Sequence, residues 1–568
     1  MSTESSLTSA HTRQIGGLAV NALGNAEILQ YPKYRLNLYL VTICFVASSG
    51  GLLFGHDIGV TGGVTTSNDF LALFFPDVHH HVAVEQGAAD SAYCKYNNQL
   101  LQLFTSSLFI AGLLAGLVAT VPTRHLGRRA TMLIAGAAFL LGAGLTAGAQ
   151  NLPMLVCGRV SLGVGVGFAN QAVPLYLSEI APPLMRGFLN QLFQLATTVG
   201  ILAAQLINYG TLRIPDWGWR LSLAGAAAPA LLLFLGSLAL PDTPNSLLER
   251  GHEEEAHRVL ARVRGTQDVG LEFSDIKLAG QYARQVKHPW RNIFRPQYRP
   301  ELVMAIMIPF FQQVTGINSV MFYAPVLFKT LGSDDAASLL NTVIVGVVMV
   351  LATLIAVLFA DRWGRHALFL SGGITMVVAE VVVAALIAVE FRGATGDAAM
   401  PKAAAVGVLF FMCLFVSGFA WSWGPLGWLV PSEIQPLETR SAGQGIAVAV
   451  NFFFTFAMGQ AFLSMLCGMQ WGIFLLFAVF CVIMTVFVWV FLPETKGVPI
   501  EEMRLLWRQH PEWRRILGKE LGAIAAVALP TKGASGINGA SGVKANAVEE
   551  PQEANGHEGY GKVWKAAV

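Results

Sequence analysis

The chain has 568 residues, of which 54% are hydrophobic and 13% are charged, and its mean hydropathy is +0.54. This composition excludes an ordinary water-soluble domain and is typical of an integral membrane protein. The basic residues behind the net charge of +2 are spread over many loops, so no nucleic-acid partner is indicated.

Apolar stretches recur along the chain, each of about 20 residues and long enough to cross roughly 30 Å of hydrocarbon as an α-helix. Twelve spans are predicted, at residues 38–60, 98–121, 130–149, 152–175, 187–210, 219–240, 301–328, 337–360, 367–391, 403–430, 441–466 and 471–492. Lys and Arg concentrate in loops 122–129 and 361–366 and in segment 241–300. Basic loops face the cytoplasm, so both termini are predicted to be cytoplasmic.

The segments around the spans define the predicted regions of the chain. They are an N-terminal tail (1–36), a first six-helix half (37–240) with an extracellular lid loop at about 61–97, a cytoplasmic helical linker (241–300), a second half (301–492), and a largely disordered C-terminal tail (493–568). The lid loop contains His79, His80 and His81, but three consecutive residues do not easily share one ligand geometry, so no metal site is predicted.

An internal repeat relates the two halves. RHLGRRATML (124–133) returns as DRWGRHALFL (361–370), and YLSEIAPPLMRG (176–187) returns as VPSEIQPLETRS (430–441). PDTPNSLLERG after span six is echoed by PETKGVPIEEM after span twelve. Duplicated halves are typical of transporters that rock around a site near the membrane midplane.

Two charged residues lie inside apolar spans of the first half. Asp57 is near the outer end of span one, and Arg159 lies about two helical turns below the outer start of span four, at comparable depth. A charge in hydrocarbon costs several kcal/mol, so these residues are predicted to pair. The pair is either a static salt bridge or a proton site, because a nearby Arg159 favours the carboxylate whereas its withdrawal favours the protonated acid.

Polar side chains also recur in spans five, seven and eleven. They are Gln194, Gln205, Gln312, Gln313, Asn318, Asn451 and Thr455. A single amide is usually an interhelical hydrogen bond, but seven polar groups in two halves predict a polar cavity. On a straight helix Gln312 and Asn318 point in different directions, so a bend at Gly316 is considered.

The GRR-type loops, the SE…R pairs and PETKG resemble the sugar porter family of the major facilitator superfamily over about residues 36–500. More narrowly, FGHDIGVTGGV, GFANQAVPLYLSEIAP, PFFQQVTGINSVMFYAPVLF and FAWSWGPLGWLVPSEI resemble plant and green-algal proton–hexose symporters. The resemblance implies an all-α major facilitator fold and proton-coupled import of a hexose such as glucose across the plasma membrane. A monomer is expected, with no cofactor beyond the coupling proton.

The resemblance also implies roles for individual residues. Asp57 would accept the proton and Arg159 would modulate it, while Phe54 and Ile58 would connect the proton site to the sugar. The implied sugar contacts are Gln194, Gln312, Gln313, Asn318, Asn451 and Thr455, with Trp428 as a stacking ring.

Two residues do not fit this pattern. Met349 stands where the family has an asparagine, and a thioether cannot donate a hydrogen bond. Either another group contacts that hydroxyl, or the preferred sugar or its affinity differs. Glu380, inside span nine, is unexplained and is a second candidate for binding the coupling proton.

Two further features are predicted to control access to the cavity. A cytoplasmic gate is expected from the charges of the repeated motifs, whose pairs would hold the halves together in the outward state: Arg128, Arg129, Glu179, Arg186, Arg365, Glu433 and Arg440. Cys94 and Cys467 both lie on the oxidising side. Topology leaves their pairing open, and the family pattern implies a disulfide that ties the lid to the second half and shields Asp57.

Two other functions stay open at this point. A facilitative sugar or polyol uniporter would share the fold, and a non-transporting sugar sensor would signal through its tail. An enzyme is not expected, because no catalytic triad or phosphate loop has a suitable context. The GVGVG run at 163–167 lies inside span four, where small residues serve helix packing.

Overall fold

The computed structural model describes residues 13–15, 18–20, 26–28, 37–84, 92–94, 96–182, 185–285, 288–330, 333–392, 401–436, 439–496, 506–507 and 510–517. The C-terminal tail predicted to be disordered lies almost entirely outside the described residues.

Within that part of the chain, twelve helical segments are long and apolar enough to cross a membrane, which confirms the predicted all-α fold. Spans one to six are α1 (Leu38–Val64), α4 (Gln99–His125), α5 (Arg128–Ala147), α6 (Leu152–Ile180), α7 (Arg186–Thr211), and α8 (Gly218–Ala224) with α9 (Ala227–Ala239). Spans seven to twelve are α14 (Arg299–Val314) with α15 (Ile317–Thr330), α16 (Asp335–Trp363), α17 (Arg365–Arg392), α18 (Lys402–Trp421) with α19 (Trp423–Ile434), α20 (Arg440–Met469) and α21 (Gly472–Phe491).

Shorter elements lie between and before the spans. The lid contains α2 (Asn68–Phe74), α3 (Pro76–Val84) and a 3-10 turn at Ala92–Cys94. The linker contains α10 (Pro244–Arg250), α11 (Glu253–Arg264), α12 (Gly270–Gln285), α13 (Pro289–Asn292) and a 3-10 turn at Pro296–Tyr298. Residues 13–28 include a small antiparallel sheet of β1 (Arg13–Ile15), β2 (Leu18–Val20) and β3 (Ala26–Ile28). We call the two ends of the bundle the lid side and the linker side.

Span seven is broken at Gly316, where the backbone has φ +80°, so the bend considered from the sequence is present. A Cβ atom there would lie 2.4 Å from the ring of Phe477, and a side chain would also be strained at this positive φ. Span ten is broken at Ser422. Both breaks interrupt helices that carry predicted sugar-binding residues.

The halves meet where span two packs against span eleven and where span five packs against span eight. Inside the first half, spans one and five approach closely through glycine. A Cβ atom on Gly55 would lie 1.9 Å from the carbonyl oxygen of Thr197. This close packing of backbones fixes the position of span one, which carries Asp57.

Gly55→Ala is therefore expected to lower the free energy of unfolding by about 1–3 kcal/mol or more, because the backbone of span five cannot yield as a flexible side chain would. Gly144→Ala is the matched control, since a Cβ atom there meets nothing within 4 Å. Thermal unfolding of the detergent-purified proteins measures the difference. Equal melting temperatures for the two variants would contradict this view of the span one–span five contact.

Candidate functional site

Asp57 and Arg159 meet in the interior of the first half. The Arg159 side chain is fully buried and that of Asp57 is 3% exposed, and Arg159 Nη1 donates to Asp57 Oδ1. No described group donates to the second carboxylate oxygen, Oδ2. The structure thus places the two charges together and leaves one oxygen of the acid unoccupied by hydrogen bonds.

Arg159 has further partners that do not depend on the charge of Asp57. Its Nε donates to the carbonyl of Phe104 at 3.0 Å, and its Nη2 donates to the carbonyl of Thr105 and to the hydroxyl of Thr61, each at 3.2 Å. The guanidinium carbon also lies 4.7 Å from the centre of the Phe104 ring. The arginine therefore keeps neutral acceptors when the carboxylate is neutralised, which lowers the cost of breaking the ion pair.

Phe54, one turn before Asp57, points towards the second half. Its ring contacts that of Phe452 at 6.0 Å between centroids, and Phe452 follows Asn451 on span eleven. Ile58 is buried on the same span. Phe54 thus contacts span eleven, which carries the predicted sugar-binding residue Asn451, across the seam between the halves.

The amides of spans seven and eleven form two hydrogen-bonded groups. Asn451 donates to Gln312 Oε1 at 2.7 Å, and Gln312 donates to the carbonyl of Trp423 at 2.9 Å, at the break in span ten. Asn318 donates to Gln313 at 2.6 Å. The hydroxyl of Thr455 bonds back to the carbonyl of Asn451 at 2.8 Å, within its own helix.

Span five contributes the facing wall. Gln194 is buried, and its Nε2 lies 3.2 Å from where a Cβ atom of Gly424 would stand; Gly424 is also a carbonyl partner of Gln312. The neighbouring Phe193 ring contacts Trp428 at 5.8 Å. Gln194 and Trp428 are therefore brought together from opposite halves.

Other buried amides on span five lack partners. Neither side-chain amide atom of Gln191 or Gln205 has a hydrogen-bond partner among the described residues. The Gln205 oxygen faces Gly346, one turn before the buried Met349 on span eight. Buried polar groups are rarely left unpaired, so this wall has capacity for a hydroxylated ligand or water.

Glu380 is buried away from this arrangement. It lies where spans nine and twelve pack together in the second half, with a hydrogen bond to the thiol of Cys481. The structure therefore brings it to neither the charge pair nor the amide network.

The motif charges on the linker side differ from the predicted gate in one important way. Arg128 pairs with Glu179 at 2.8 Å and Arg365 pairs with Glu433 at 3.0 Å, so each ion pair lies within one half and does not join the halves. Arg129 instead donates to carbonyls at the end of span six. The side chain of Arg186 lies outside the described residues.

The repeated motifs form the same kind of hydrogen bond in each half, from backbone N–H groups to an acid. Asp242 accepts from the backbone N–H of Arg128, and Glu494 accepts from those of Arg365 and His366. Gly127 and Gly364 precede these N–H groups with φ of +97° and +88°. A Cβ atom at either glycine would collide with the acid, at 1.8 Å and 2.5 Å respectively. The glycine is thus required for the acid to reach the helix start.

Hydrogen bonds join the halves on the linker side. Asn190 donates to Ser432 at 3.0 Å, and Arg440 donates to the hydroxyl of Ser178 at 2.9 Å. Of the predicted gate residues, Arg440 makes a contact across the seam.

The lid side is also closed. Ser106 donates to Gln460 at 2.7 Å between spans two and eleven. The structure joins Cys94 to Cys467 by a disulfide, which links the lid to span eleven. Burial, aided by Asp335, raises the pKa of the adjacent Tyr96 to about 12, so this phenol remains neutral. The halves therefore contact each other at both ends of the bundle.

The lid also reaches the charge pair. Phe70 of α2 contacts the ring of Phe104 at 5.2 Å, the same ring that lies beside Arg159. Among the described residues, no group of three or more His, Cys, Asp or Glu side chains is placed to hold a metal ion.

Several contributors were missed by sequence reasoning. Thr61 lies one turn after Asp57, and that spacing is a usable signal. The carbonyls of Phe104 and Thr105 carry no sequence signal. Asp242 and Glu494 lay inside repeated motifs that were recognised without being assigned a role.

Residues 43–507 match the family described as "Sugar (and other) transporter", and the chain belongs to that family. It is 57% identical over 506 residues to Sugar transport protein MST3 of Oryza sativa subsp. japonica, covering 89% of this chain and 96% of the relative. It is 53% identical over 482 residues to Sugar transport protein 10 of Arabidopsis thaliana, covering 85% and 93%. The chain is a membrane transporter and not an enzyme.

Solved structures agree with this assignment. The major facilitator proton:xylose symporter XylE bound to 6-bromo-6-deoxy-D-glucose superposes with a TM-score of 0.71 at 27% identity, over 83% of this chain and all of that chain. The inward open conformation of XylE from E. coli gives 0.64, also at 27% identity, over 82% and 100%.

Asn451→Ala is expected to weaken sugar binding by about 1–3 kcal/mol, because it removes one polar group and leaves Gln312 Oε1 unpaired. The measurement is the sugar dissociation constant of the purified protein. Asn341→Ala is the control, because Asn341 is a half-buried amide at the lid-side end of span eight. Unchanged affinity in Asn451→Ala would remove this network from the binding site.

Proposed function

We propose that this protein imports a monosaccharide, a hexose such as glucose, together with a proton, by alternating exposure of one site. The observation that carries the proposal is the buried Asp57–Arg159 pair, whose neighbour Phe54 contacts the span that supplies Asn451. Membership of the sugar transporter family and similarity to a proton:xylose symporter support it. The protein works in the plasma membrane, surrounded by lipid, as a monomer with the proton as its coupling ion.

Asp57 acts as the proton acceptor. A proton from the lid side binds at Oδ2, the oxygen that lacks a hydrogen-bond partner among the described residues. Neutralisation weakens the attraction of Arg159, which remains held by the carbonyls of Phe104 and Thr105. Span one is then free to shift relative to span four, and Phe54 transmits that shift to the sugar site.

The sugar is held between the halves. Gln194 and Trp428 approach it from opposite sides of the seam, and Gln312 and Asn451 supply a donor and acceptor network already oriented by the break in span ten. Gln313 and Asn318 offer a second amide pair. Met349 occupies an apolar position on span eight, where it contacts carbon rather than a hydroxyl of the sugar.

On the linker side, ion pairs stabilise each half internally. The Arg128–Glu179 and Arg365–Glu433 pairs keep the ends of their helices together while the halves move as units. Opening to the cytoplasm then requires breaking the weaker contacts of Asn190 and Arg440 across the seam. A neutral hydrogen bond such as that of Asn190 contributes about 0.5–1.5 kcal/mol and one from a charged group such as Arg440 about 1.5–3 kcal/mol, which suits a reversible closure.

The test is labelled-glucose uptake into proteoliposomes that are acidic outside. Wild type is expected to accumulate sugar up to about tenfold for each pH unit of gradient at one proton per sugar, and an uncoupler should abolish accumulation. Asp57→Asn should equilibrate sugar without concentrating it, because the amide cannot exchange a proton.

Asp77→Asn, on the exposed surface of α3, is the matched control and should accumulate as wild type does. Equilibration without accumulation by the wild type would make the protein a uniporter. Accumulation by Asp57→Asn would remove Asp57 from the coupling mechanism. No transport of any sugar would favour a sensor.

A further inference from the structure

A basic cavity of about 370 Å³ lies on the linker side, outside the transport site. Its basic side chains are Arg124 and His125 from the end of span two and His288 and Arg291 from the linker. Trp290 of the linker and Ser441 of span eleven also line it. Among the described residues, no acidic side chain lines it.

The charges in this cavity are not balanced by the described protein. Arg124, His125, His288 and Arg291 make no ion pair or side-chain hydrogen bond within the part of the chain that the structure describes. Arg128, Arg250, Arg264 and Arg365 on the same side differ from them, because each pairs with an acid. Two uncompensated arginines facing one cavity favour an anionic occupant.

The cavity lies where the helices leave the membrane. Apolar side chains beside it are largely exposed, with 59% exposure for Val121, 54% for Leu126 and 65% for Phe294. Exposed apolar side chains at the end of a membrane span are suited to hydrocarbon, and arginines next to them are then suited to the lipid phosphates. An occupant with a phosphate and an apolar body therefore fits this location better than a free ion does.

The cavity also spans the seam between the halves. A Cβ atom on Gly445 of span eleven would lie 3.3 Å from the Trp290 ring and 3.0 Å from Thr120 of span two. Trp290 of the linker thus lies beside the contact between the two halves. When the halves separate on the linker side, the lining residues must move apart.

We propose that this cavity binds the phosphate of an anionic lipid from the linker-side leaflet, and that an occupied cavity favours the state closed on that side. A lipid and a soluble phosphate would present the same group, a phosphate held by two arginines. Soluble phosphate is therefore the alternative ligand. This site is separate from the sugar site, so its test does not depend on transport.

Binding of dioctanoyl phosphatidic acid to the full-length purified protein, without sugar, is the direct test. Arg124→Gln with Arg291→Gln should weaken binding by about 25-fold, at about fivefold for each arginine near a lipid surface. Arg124→Lys with Arg291→Lys keeps the charge and should retain most of the affinity. Arg258→Gln, an exposed arginine of α11, is the matched control and should bind as wild type.

Unchanged melting temperature and wild-type uptake in phosphatidylcholine vesicles establish that the double glutamine variant is folded. Equal binding of phosphatidic acid by that variant and the wild type would overturn the proposal. So would equal binding of dioctanoyl phosphatidylcholine by the wild type. Inorganic phosphate that binds as tightly as phosphatidic acid would overturn the lipid assignment and leave a site for a soluble anion.

Discussion

The structure depends on one buried ion pair held in a membrane interior. Removing one partner from such a pair commonly costs about 3–5 kcal/mol, because the other charge is left uncompensated. Here that penalty is reduced, since Arg159 also donates to two backbone carbonyls and a hydroxyl. The pair is therefore stable when ionised and tolerable when Asp57 is neutral, which is the property a coupling site needs.

The surroundings of this pair link it to the proposed sugar site and to the outside. Phe54 touches Phe452, beside the amide network. On the other side, Phe104 lies between Arg159 and Phe70 of the lid, and the lid is tied to span eleven by the disulfide. A protonation change at Asp57 can thus act on both halves through direct contacts, without a long relay.

Much of this arrangement was predictable, because membrane burial leaves strong signals. Apolar length located the twelve spans, and two isolated charges at similar depth predicted the Asp57–Arg159 contact. The bend at Gly316 followed from amides that a straight helix would point apart. The internal repeat indicated two halves with equivalent linker-side motifs.

Other features depend on the backbone or on partner choice, for which the sequence has little signal. The carbonyls that hold Arg159 are available on every residue, so nothing distinguishes Phe104 or Thr105 in advance. The charges of the repeated motifs were predicted to join the halves, but Arg128 and Arg365 pair inside their own halves. The sequence alone could not distinguish pairing within one half from pairing between the halves. Glu179 and Glu433 each lie near arginines that would allow either arrangement.

The most direct test of the coupling account is the movement of protons that accompanies sugar entry. Proteoliposomes containing a pH-sensitive dye would be given sugar on the outside while proton and sugar fluxes are recorded together. About one proton for each sugar is expected in the wild type, because Asp57 is a single carboxyl group that binds one proton, and sugar flux without proton flux is expected in Asp57→Asn. Proton entry with sugar in Asp57→Asn would show that another group carries the proton.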